Sequence, residues 1–247
     1  MSRPERPLVI AHRGASGYRR ENTLAAYALA VEQQADMIEI DLHRTRDGAS
    51  VVIHDERPAG LAAGEIADAT LAEVRALDLG GGSRIPTFDE VLDAFGQTIA
   101  FNVELKRGGH GLYAGLEAAA VAALERRGLL SRTLFSSFED AVLARLAEVA
   151  PASRRALLLE PKRAERPLER ARAVGAEAVN PWRGLATREL VEAAHAEGLA
   201  VYVFTVNPEH EMRRLLELGA DGLFTDFPDR LRALLPRGEA QRPKANR

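Results

Sequence analysis

The chain has 247 residues, of which 46% are hydrophobic and 28% charged, a composition typical of a globular protein with a large core. Its net charge of −3 argues against nucleic acid as a partner, and the absence of cysteine excludes a disulfide framework, a thiol nucleophile and a thiolate zinc site. No apolar run is long enough for a transmembrane span and no signal-peptide core is visible, so we expect a cytoplasmic protein.

The first predicted strand ends in polar residues that a buried strand does not need. Residues 1–7 are expected to form an N-terminal tail, and the apolar run LVIA follows at 8–11. His12, Arg13 and a glycine-rich turn come directly after it. This order suggests that the strand delivers functional side chains at its carboxyl end.

The second predicted strand, MIEIDL at 37–42, contains two carboxylates. Glu39 and Asp41 are two residues apart, so their side chains point to the same side of the strand. If that side faces a binding site, both carboxylates enter it together.

A third run, VVIH at 51–54, begins too soon after the second strand for the crossover that a parallel neighbour requires. The Asp-Gly pair at 47–48 is a hairpin signal, so this run should return antiparallel. With the turn centred on that pair, the register places His54 opposite Asp41. Residues 55–85 lack a strand pattern, and we expect them to form an excursion over one barrel mouth.

From about residue 100, short apolar runs alternate with longer amphipathic stretches. The runs are IAFNVEL (99–105), TLFSSF (133–138), RALLLE (155–160), EAVNPW (177–182), LAVYVFTV (199–206) and DGLFTDF (221–227). This alternation is typical of parallel βαβ units and brings the parallel strands to eight. The chain is therefore predicted to be an α/β protein with a distorted (β/α)₈ TIM barrel over 8–235, and an open doubly wound sheet is the alternative. Residues 236–247 are polar and are expected to be a disordered tail.

Active sites of such barrels lie at the carboxyl ends of the strands, where this chain has many polar residues. The later runs end with Ser136, Asn180, Thr205, Asn207, Thr225 and Asp226. Burying Glu39, Asp41 and Glu104 together without compensation would be costly, so they suggest a hard cation such as Mg²⁺ or Ca²⁺. The alternative is that they form structural ion pairs with Arg13 and Lys106.

Two histidines stand at strand ends near these acids. Because imidazole titrates near neutrality, His12 and His54 are candidates for a general acid and base. Arg13 and Lys106 would add cations that suit an anionic group such as phosphate. The remaining histidines, predicted to lie at the surface or in loops without such neighbours, are His43, His110, His195 and His210.

An ordered set of motifs covers nearly the whole chain, from about residue 8 to 235. They are HRGASG (12–17), ENTLAAY (21–27), EIDLHRTRDG (39–48), VVIHD (51–55), IPTFDEVL (85–92), NVELK (102–106), SSF (136–138), FTVN (204–207) and GLFTDFP (222–228). In these motifs the chain resembles the glycerophosphodiester phosphodiesterases. The resemblance implies a distorted TIM barrel that hydrolyses a small-molecule glycerophosphodiester to sn-glycerol 3-phosphate and an alcohol.

The resemblance also implies roles for individual residues. The matching positions are Glu39, Asp41 and Glu104 for one divalent cation, Mg²⁺ or Ca²⁺ with Mn²⁺ as a third candidate; His12 and His54 for the acid–base pair; Arg13 and Lys106 for the phosphate; and Glu21 as support. The resemblance does not specify the alcohol, the oligomeric state, which histidine is the base, or whether water or a glycerol hydroxyl attacks first.

Three positions depart from the family pattern. Arg20 replaces a proline before the ENT motif, and Phe204 replaces a tryptophan in the WTVN strand, which affects the substrate wall. The excursion at 55–85 also lacks the family's threonine-rich segment. Trp182, the single tryptophan, is expected either to form a wall of the pocket with Phe204 or to pack against a neighbouring loop.

Three other functions remain open. A related phosphodiesterase on a lipid substrate, such as a lysophospholipase D or a phospholipase, is less favoured because no amphipathic basic surface helix is evident. An inactive barrel that binds phosphodiesters would not need the full set of histidines and carboxylates. A metal-dependent sugar isomerase or aldolase would share the fold but not the reason for these cations.

Overall fold

The computed structural model describes residues 4–236, so all but the first residue of the predicted tail at 236–247 lies outside the described residues. Within the predicted N-terminal tail, Arg6 forms an ion pair with Asp36 at 2.5 Å. The end of that tail is therefore attached to the segment that enters the second strand.

Eight parallel strands close into a barrel. The strands of the structure are β1 (Leu8–Ala11), β2 (Met37–Arg44), β3 (Ser50–Val52), β4 (Ala100–Leu105), β5 (Arg107–Gly108), β6 (Gly111–Leu112), β7 (Thr133–Ser137), β8 (Arg154–Leu159), β9 (Ala178–Pro181), β10 (Ala200–Val203) and β11 (Gly222–Thr225). The barrel contains all of them except β3, β5 and β6, and it closes because β11 and β2 both pair with β1. The TIM barrel is confirmed, and the open doubly wound sheet is wrong.

Helices surround the barrel, and all of them except α2 pack against its outside. They are α1 (Leu24–Glu32), α2 (Leu71–Arg75), α3 (Phe88–Phe95), α4 (Leu116–Glu125), α5 (Asp140–Val149), α6 (Pro167–Ala173), α7 (Arg188–Ala196), α8 (Glu209–Glu217) and α9 (Pro228–Leu234). Outward-facing strand residues such as Val201 and Leu223 pack against helix residues such as Met212. Burying one such side chain stabilises the fold by about 1.5–3 kcal/mol. None of the helices within residues 4–236 has the length and apolar character needed to cross a membrane.

The interior of the barrel changes from apolar to polar along the strands. Ile10 and Met37 lie in an apolar interior cluster with Phe224. Because side chains alternate along a strand, the next inward positions toward the carboxyl ends are His12 and Glu39. The apolar layer thus supports a polar layer at the mouth.

The hairpin after β2 is confirmed, but its predicted register is wrong by one residue. β2 and β3 are antiparallel with Leu42 opposite Val52, and the amide of Ile53 donates to the carbonyl of Asp41. His54 is therefore not opposite Asp41. The turn is centred on Asp47 rather than between Asp47 and Gly48, because Gly48 takes a left-handed φ of 87° inside a three-residue loop.

The segment 55–85 contains a one-turn 3₁₀ helix, Ile66–Asp68, and the short helix α2. Its apolar residues form a separate small cluster with β3, including Leu61 and Val74. The first residues of the segment line a groove at the barrel mouth, as described below. The segment therefore holds itself together and contributes one wall to the mouth.

Candidate active site

A cavity of about 450 Å³ opens at the carboxyl ends of the strands. Of the residues predicted for the site, those that line it are His12, Arg13, Glu39, His54, Glu104, Lys106, Trp182 and Phe204. Asp41 and Glu21 do not line it but contact residues that do. Among the other polar strand-end residues, Ser136, Thr205, Asn207 and Asp226 line the cavity, whereas Asn180 and Thr225 do not.

Three carboxylates meet at the centre of the mouth. Glu39, Asp41 and Glu104 are 3%, 1% and 9% exposed, and one carboxylate oxygen from each lies within 4.8 Å of the others. The pairing of β2 with β4 produces this arrangement, because it places Asp41 beside Glu104. The residues that were predicted to share a cation are thus together and buried.

Two cations lie among the carboxylates. The Nζ of Lys106 is 2.8 Å from an Asp41 oxygen and 2.5 Å from a Glu104 oxygen. The Nε of Arg13 is 3.2 Å from Asp41, and its Nη1 donates to Glu21 at 3.0 Å. Glu21 therefore orients the guanidinium of Arg13.

Asn22 is a further contact that the sequence reasoning did not identify, although it belongs to the ENT motif. Its Nδ2 donates to Asp41 at 2.8 Å, and its Oδ1 accepts from the buried hydroxyl of Tyr27. Asn22 has a φ of 53°, in the left-handed region that asparagine tolerates better than most residues. Its side chain fixes the position of the Asp41 carboxylate.

The charges of this cluster do not balance around Glu39. Burial, followed by the nearby Asp41 and Glu104, raises the pKa of Glu39 well above its usual range. Burial also opposes ionisation of Asp41, but Lys106 and Arg13 hold its pKa below the usual range. Three carboxylates face two cations, so an additional cation fits this oxygen-rich donor set.

His12 is held by a network that the sequence analysis did not predict. Its Nδ1 is 2.7 Å from Asp226, which also accepts hydrogen bonds from Ser16 and Asn207. Burial opposes ionisation of Asp226, but its contact with His12 lowers its pKa. With Nδ1 occupied, Nε2 is the ring nitrogen left for a substrate.

His54 has a similar but more exposed partner. Its Nδ1 is 2.8 Å from Asp55, and the two side chains are 38% and 70% exposed. The backbone carbonyl of His54 accepts a hydrogen bond from His43 Nε2 at 3.1 Å. His54 is thus held through its backbone as well as its ring.

The prediction that His43 lies at the surface is wrong. His43 is 1% exposed, and burial lowers its pKa to about 4. Its Nδ1 lies 2.8 Å from the hydroxyl of Tyr113. It is buried because, four residues after Glu39 on β2, it shares the face of the carboxylates.

Two of the other histidines have acidic partners that were not predicted. His195 is half-buried and lies 2.8 Å from Asp221, and the exposed His110 lies 3.0 Å from Asp68. His210 is exposed on α8, as expected.

Aromatic side chains form the opposite wall of the cavity. Phe204 contacts Phe138 and Phe224 edge-to-face, with ring centroids 5.8 and 6.4 Å apart. Trp182 is 39% exposed and lines the cavity, and its ring lies against Gly184 in the turn directly after β9. An apolar wall of this kind suits the carbon skeleton of a substrate.

A second groove of about 460 Å³ adjoins the cavity. The two share His54, Glu104, Lys106 and Phe138. The residues that line only the groove include Asp55, Glu56, Arg57, Arg107, Glu139 and Glu160. A molecule bound across both spaces would therefore pass His54 and Lys106.

Known proteins of the same architecture share this chain's sequence pattern. The profile of the glycerophosphoryl diester phosphodiesterase family matches residues 12–230. A glycerophosphodiester phosphodiesterase of Caldanaerobacter subterraneus subsp. tengcongensis is 36% identical over 94% of this chain and 98% of its own length.

Solved structures extend the similarity to the fold. The structure of an Oleispira antarctica phosphodiesterase in complex with the product sn-glycerol-3-phosphate has a TM-score of 0.80 and 30% identity, covering 92% of this chain and 96% of that one. A glycerophosphodiester phosphodiesterase from Agrobacterium tumefaciens has a TM-score of 0.79 and 27% identity, covering 92% of this chain and 100% of that one.

Proposed function

The chain belongs to the glycerophosphoryl diester phosphodiesterase family, a family of phosphoric diester hydrolases, and from that premise we propose that it hydrolyses glycerophosphodiesters to sn-glycerol 3-phosphate and an alcohol. The product is the molecule bound by the Oleispira antarctica relative.

The observation that carries the proposal is the grouping of side chains at the mouth. The mouth brings together two imidazoles with carboxylate partners, three buried carboxylates and two cations. A phosphodiester needs its negative charge neutralised and two protons moved, and this grouping contains groups for both tasks.

Arg13 and Lys106 are the groups proposed to bind the phosphate. Both line the cavity, and both are held by carboxylates that fix the direction of their N–H groups. Glu39, Asp41 and Glu104 are proposed to bind one divalent cation, for which Mg²⁺, Ca²⁺ and Mn²⁺ are the candidates. When bound, that cation would supply Lewis-acid stabilisation of the charge that builds on the phosphate oxygens.

His12 and His54 are the proposed acid–base pair. In each, Nδ1 faces an aspartate, so Nε2 is the atom that exchanges a proton with the substrate. One imidazole takes the proton of the attacking hydroxyl while a new P–O bond forms. The other gives a proton to the departing alcohol oxygen as its P–O bond breaks.

Two groups are candidates for the attacking nucleophile, water and the neighbouring glycerol hydroxyl, and attack by either needs the same two proton transfers. Water gives sn-glycerol 3-phosphate directly. The neighbouring glycerol hydroxyl gives a cyclic phosphate, which water then opens with the two imidazoles exchanging roles. The aromatic wall of Phe204 and Trp182 is proposed to hold the glycerol skeleton, and the adjoining groove then receives the alcohol.

The test is release of sn-glycerol 3-phosphate from glycerophosphocholine by protein stripped of metal with a chelator. Mg²⁺, Ca²⁺ and Mn²⁺ are restored separately, and we expect at least one of them to restore turnover. His210→Ala, which changes an exposed histidine on α8, serves as the matched control for the active-site histidines. No turnover with any of the metals in folded protein would contradict the proposal, and turnover of lysophosphatidylcholine instead would assign a lipid substrate.

A further inference from the structure

A second cluster of metal-ligating side chains lies outside the barrel mouth. Glu65 and Asp68 lie at the start and end of the 3₁₀ turn in the segment 55–85, and His110 lies in the turn between β5 and β6. One donor atom from each lies within 4.8 Å of the others. None of the three is among the residues that line the mouth cavity or its groove.

Glu65 has a buried oxygen without a partner. The residue is 7% exposed, and its Oε1 accepts hydrogen bonds from the guanidinium of Arg57. Its Oε2 is fully buried and has no hydrogen-bond partner within residues 4–236. Burying a carboxylate oxygen in this way is unfavourable unless a positive charge or a donor reaches it. His110 Nε2 is 3.8 Å away, too far for a hydrogen bond.

The backbone is shaped around this carboxylate. A Cβ atom on Gly109 would overlap both oxygens of Glu65, so any other residue there would displace the carboxylate from its position. Gly109 precedes His110, whose imidazole Nε2 lies 3.8 Å from Oε2 of the same carboxylate. Its Nε2 is 3.0 Å from Asp68 Oδ2.

The donor atoms differ from those at the mouth. A cluster of carboxylates alone favours a hard cation, whereas one imidazole nitrogen with two carboxylate oxygens is a common set for Zn²⁺. At metal–ligand distances of about 2.0–2.2 Å, the donors around one Zn²⁺ lie roughly 3–4 Å apart. The two separations from His110 Nε2, 3.0 and 3.8 Å, lie in that range.

We propose that Glu65, Asp68 and His110 form a second metal site, for Zn²⁺ or a similar first-row cation, separate from the carboxylate cluster of the barrel mouth. The ion compensates the negative charge at Glu65 Oε2. It keeps one coordination position open to solvent, because the side chains of His110 and Asp68 are 69% and 49% exposed. It joins residues 42 apart in the chain and so ties the segment 55–85 to the hairpin of β5 and β6. Arg57 and Arg107 on these two elements line the groove, so the site fixes the spacing of its walls.

The test is zinc stoichiometry after equilibrium dialysis of metal-free protein, measured by atomic absorption. His110→Ala and Asp68→Asn should each bind about one equivalent less than wild type, because each removes a ligand. His210→Ala should bind as much as wild type, since that exposed histidine is on α8. Circular dichroism of each variant confirms folding. If both His110→Ala and Asp68→Asn kept the wild-type stoichiometry, the cluster would be an ion pair only and the proposal would be overturned; the phosphodiesterase assay above would be unaffected by that result.

Discussion

The two histidine–aspartate pairs of the barrel mouth have similar contacts in different surroundings. His12 and Asp226 are 2.7 Å apart and 19% and 27% exposed in their side chains. His54 and Asp55 are 2.8 Å apart but 38% and 70% exposed. The exposed pair competes with water for its hydrogen bond, so the same contact orients its imidazole less firmly.

The network around each aspartate widens the difference. Asp226 also accepts from Ser16 at 2.9 Å and from Asn207 at 2.6 Å, whereas Asp55 has no second side-chain partner in the described part of the chain. His54 has, besides its ring contact with Asp55, a hydrogen bond from His43 to its backbone carbonyl. His12 is therefore positioned by a network at its ring, whereas His54 combines one exposed ring contact with a contact at its main chain.

Removing either imidazole tests whether the two pairs share one reaction. We expect His12→Ala and His54→Ala each to lower kcat for glycerophosphocholine by about 10²–10⁴, the usual loss for a general acid or base. Thermal unfolding should be close to wild type, because neither ring is part of the apolar core. Wild-type turnover in either variant would remove that histidine from the proposed chemistry.

Changing the aspartates separates the two pairs. Asp226→Asn should lower kcat by about 30- to 100-fold, because it breaks the hydrogen-bond network that orients the His12 ring and is shielded from solvent. Asp55→Asn should lower kcat by less than about five-fold, as expected for an exposed pair. The measurement is steady-state kinetics of both variants at saturating metal. Equal losses would show that burial does not decide how firmly each ring is held.

A third prediction concerns the buried carboxyl group of Glu39 and its effect on the stability of the fold. The pKa of Glu39 is raised in the folded protein, chiefly by burial and then by Asp41 and Glu104. A carboxyl with a raised folded pKa destabilises the fold as pH rises from its unfolded pKa, about 4.3, through the folded value. In metal-free protein, Glu39→Gln should therefore raise Tm by about 2–4 °C at pH 8 and by less at pH 5.

The control for that measurement is the same pair of proteins in excess Mg²⁺. Wild type should then gain stability by binding the ion, and Glu39→Gln should gain less because a ligand has been replaced. If metal-free wild type were more stable than the variant at pH 8, the attraction of Glu39 to Arg13 and Lys106 would outweigh its burial and its repulsion by Asp41 and Glu104.

The sequence was sufficient for the parts of the site that depend on alternation along one strand. The spacing of Glu39 and Asp41 and the count of eight strands led to the carboxylate cluster and the barrel. The same alternation, continued by two residues, also puts His43 on the inner face, so its burial was available from the sequence and was missed.

Alternation along one strand cannot predict contacts between segments that are distant in the sequence. Asp226 reaches His12 only because β11 pairs with β1 and closes the barrel, and no local pattern gives the rotamers involved. The predicted hairpin register was wrong for a more local reason. A two-residue and a three-residue loop have the same Asp-Gly signal, and the choice shifts every pairing by one residue.

The smallest expected change in kcat comes from Tyr113, which contacts His43 and through it the backbone of His54. The carbonyl of His54 can only accept, so His43 must carry its proton on Nε2, and its Nδ1 must then accept from the hydroxyl of Tyr113. Tyr113→Phe removes that donor and keeps the edge-to-face packing of the rings, whose centroids are 5.7 Å apart. The tautomer of His43 is then favoured by the His54 carbonyl alone, and that carbonyl is held less firmly.

We expect Tyr113→Phe to lower kcat by about three-fold, with an unchanged KM, since a net hydrogen bond contributes about 0.5–1.5 kcal/mol and only part of it reaches the reaction. The matched control is Tyr18→Phe, which removes a hydroxyl bonded to the distant Asp229 and keeps an edge-to-face contact with Phe227. If both variants had the wild-type kcat, Tyr113 would be a packing residue. His43 would then hold the His54 carbonyl without help from that hydroxyl, and the proposed link from Tyr113 to the exposed pair would be overturned.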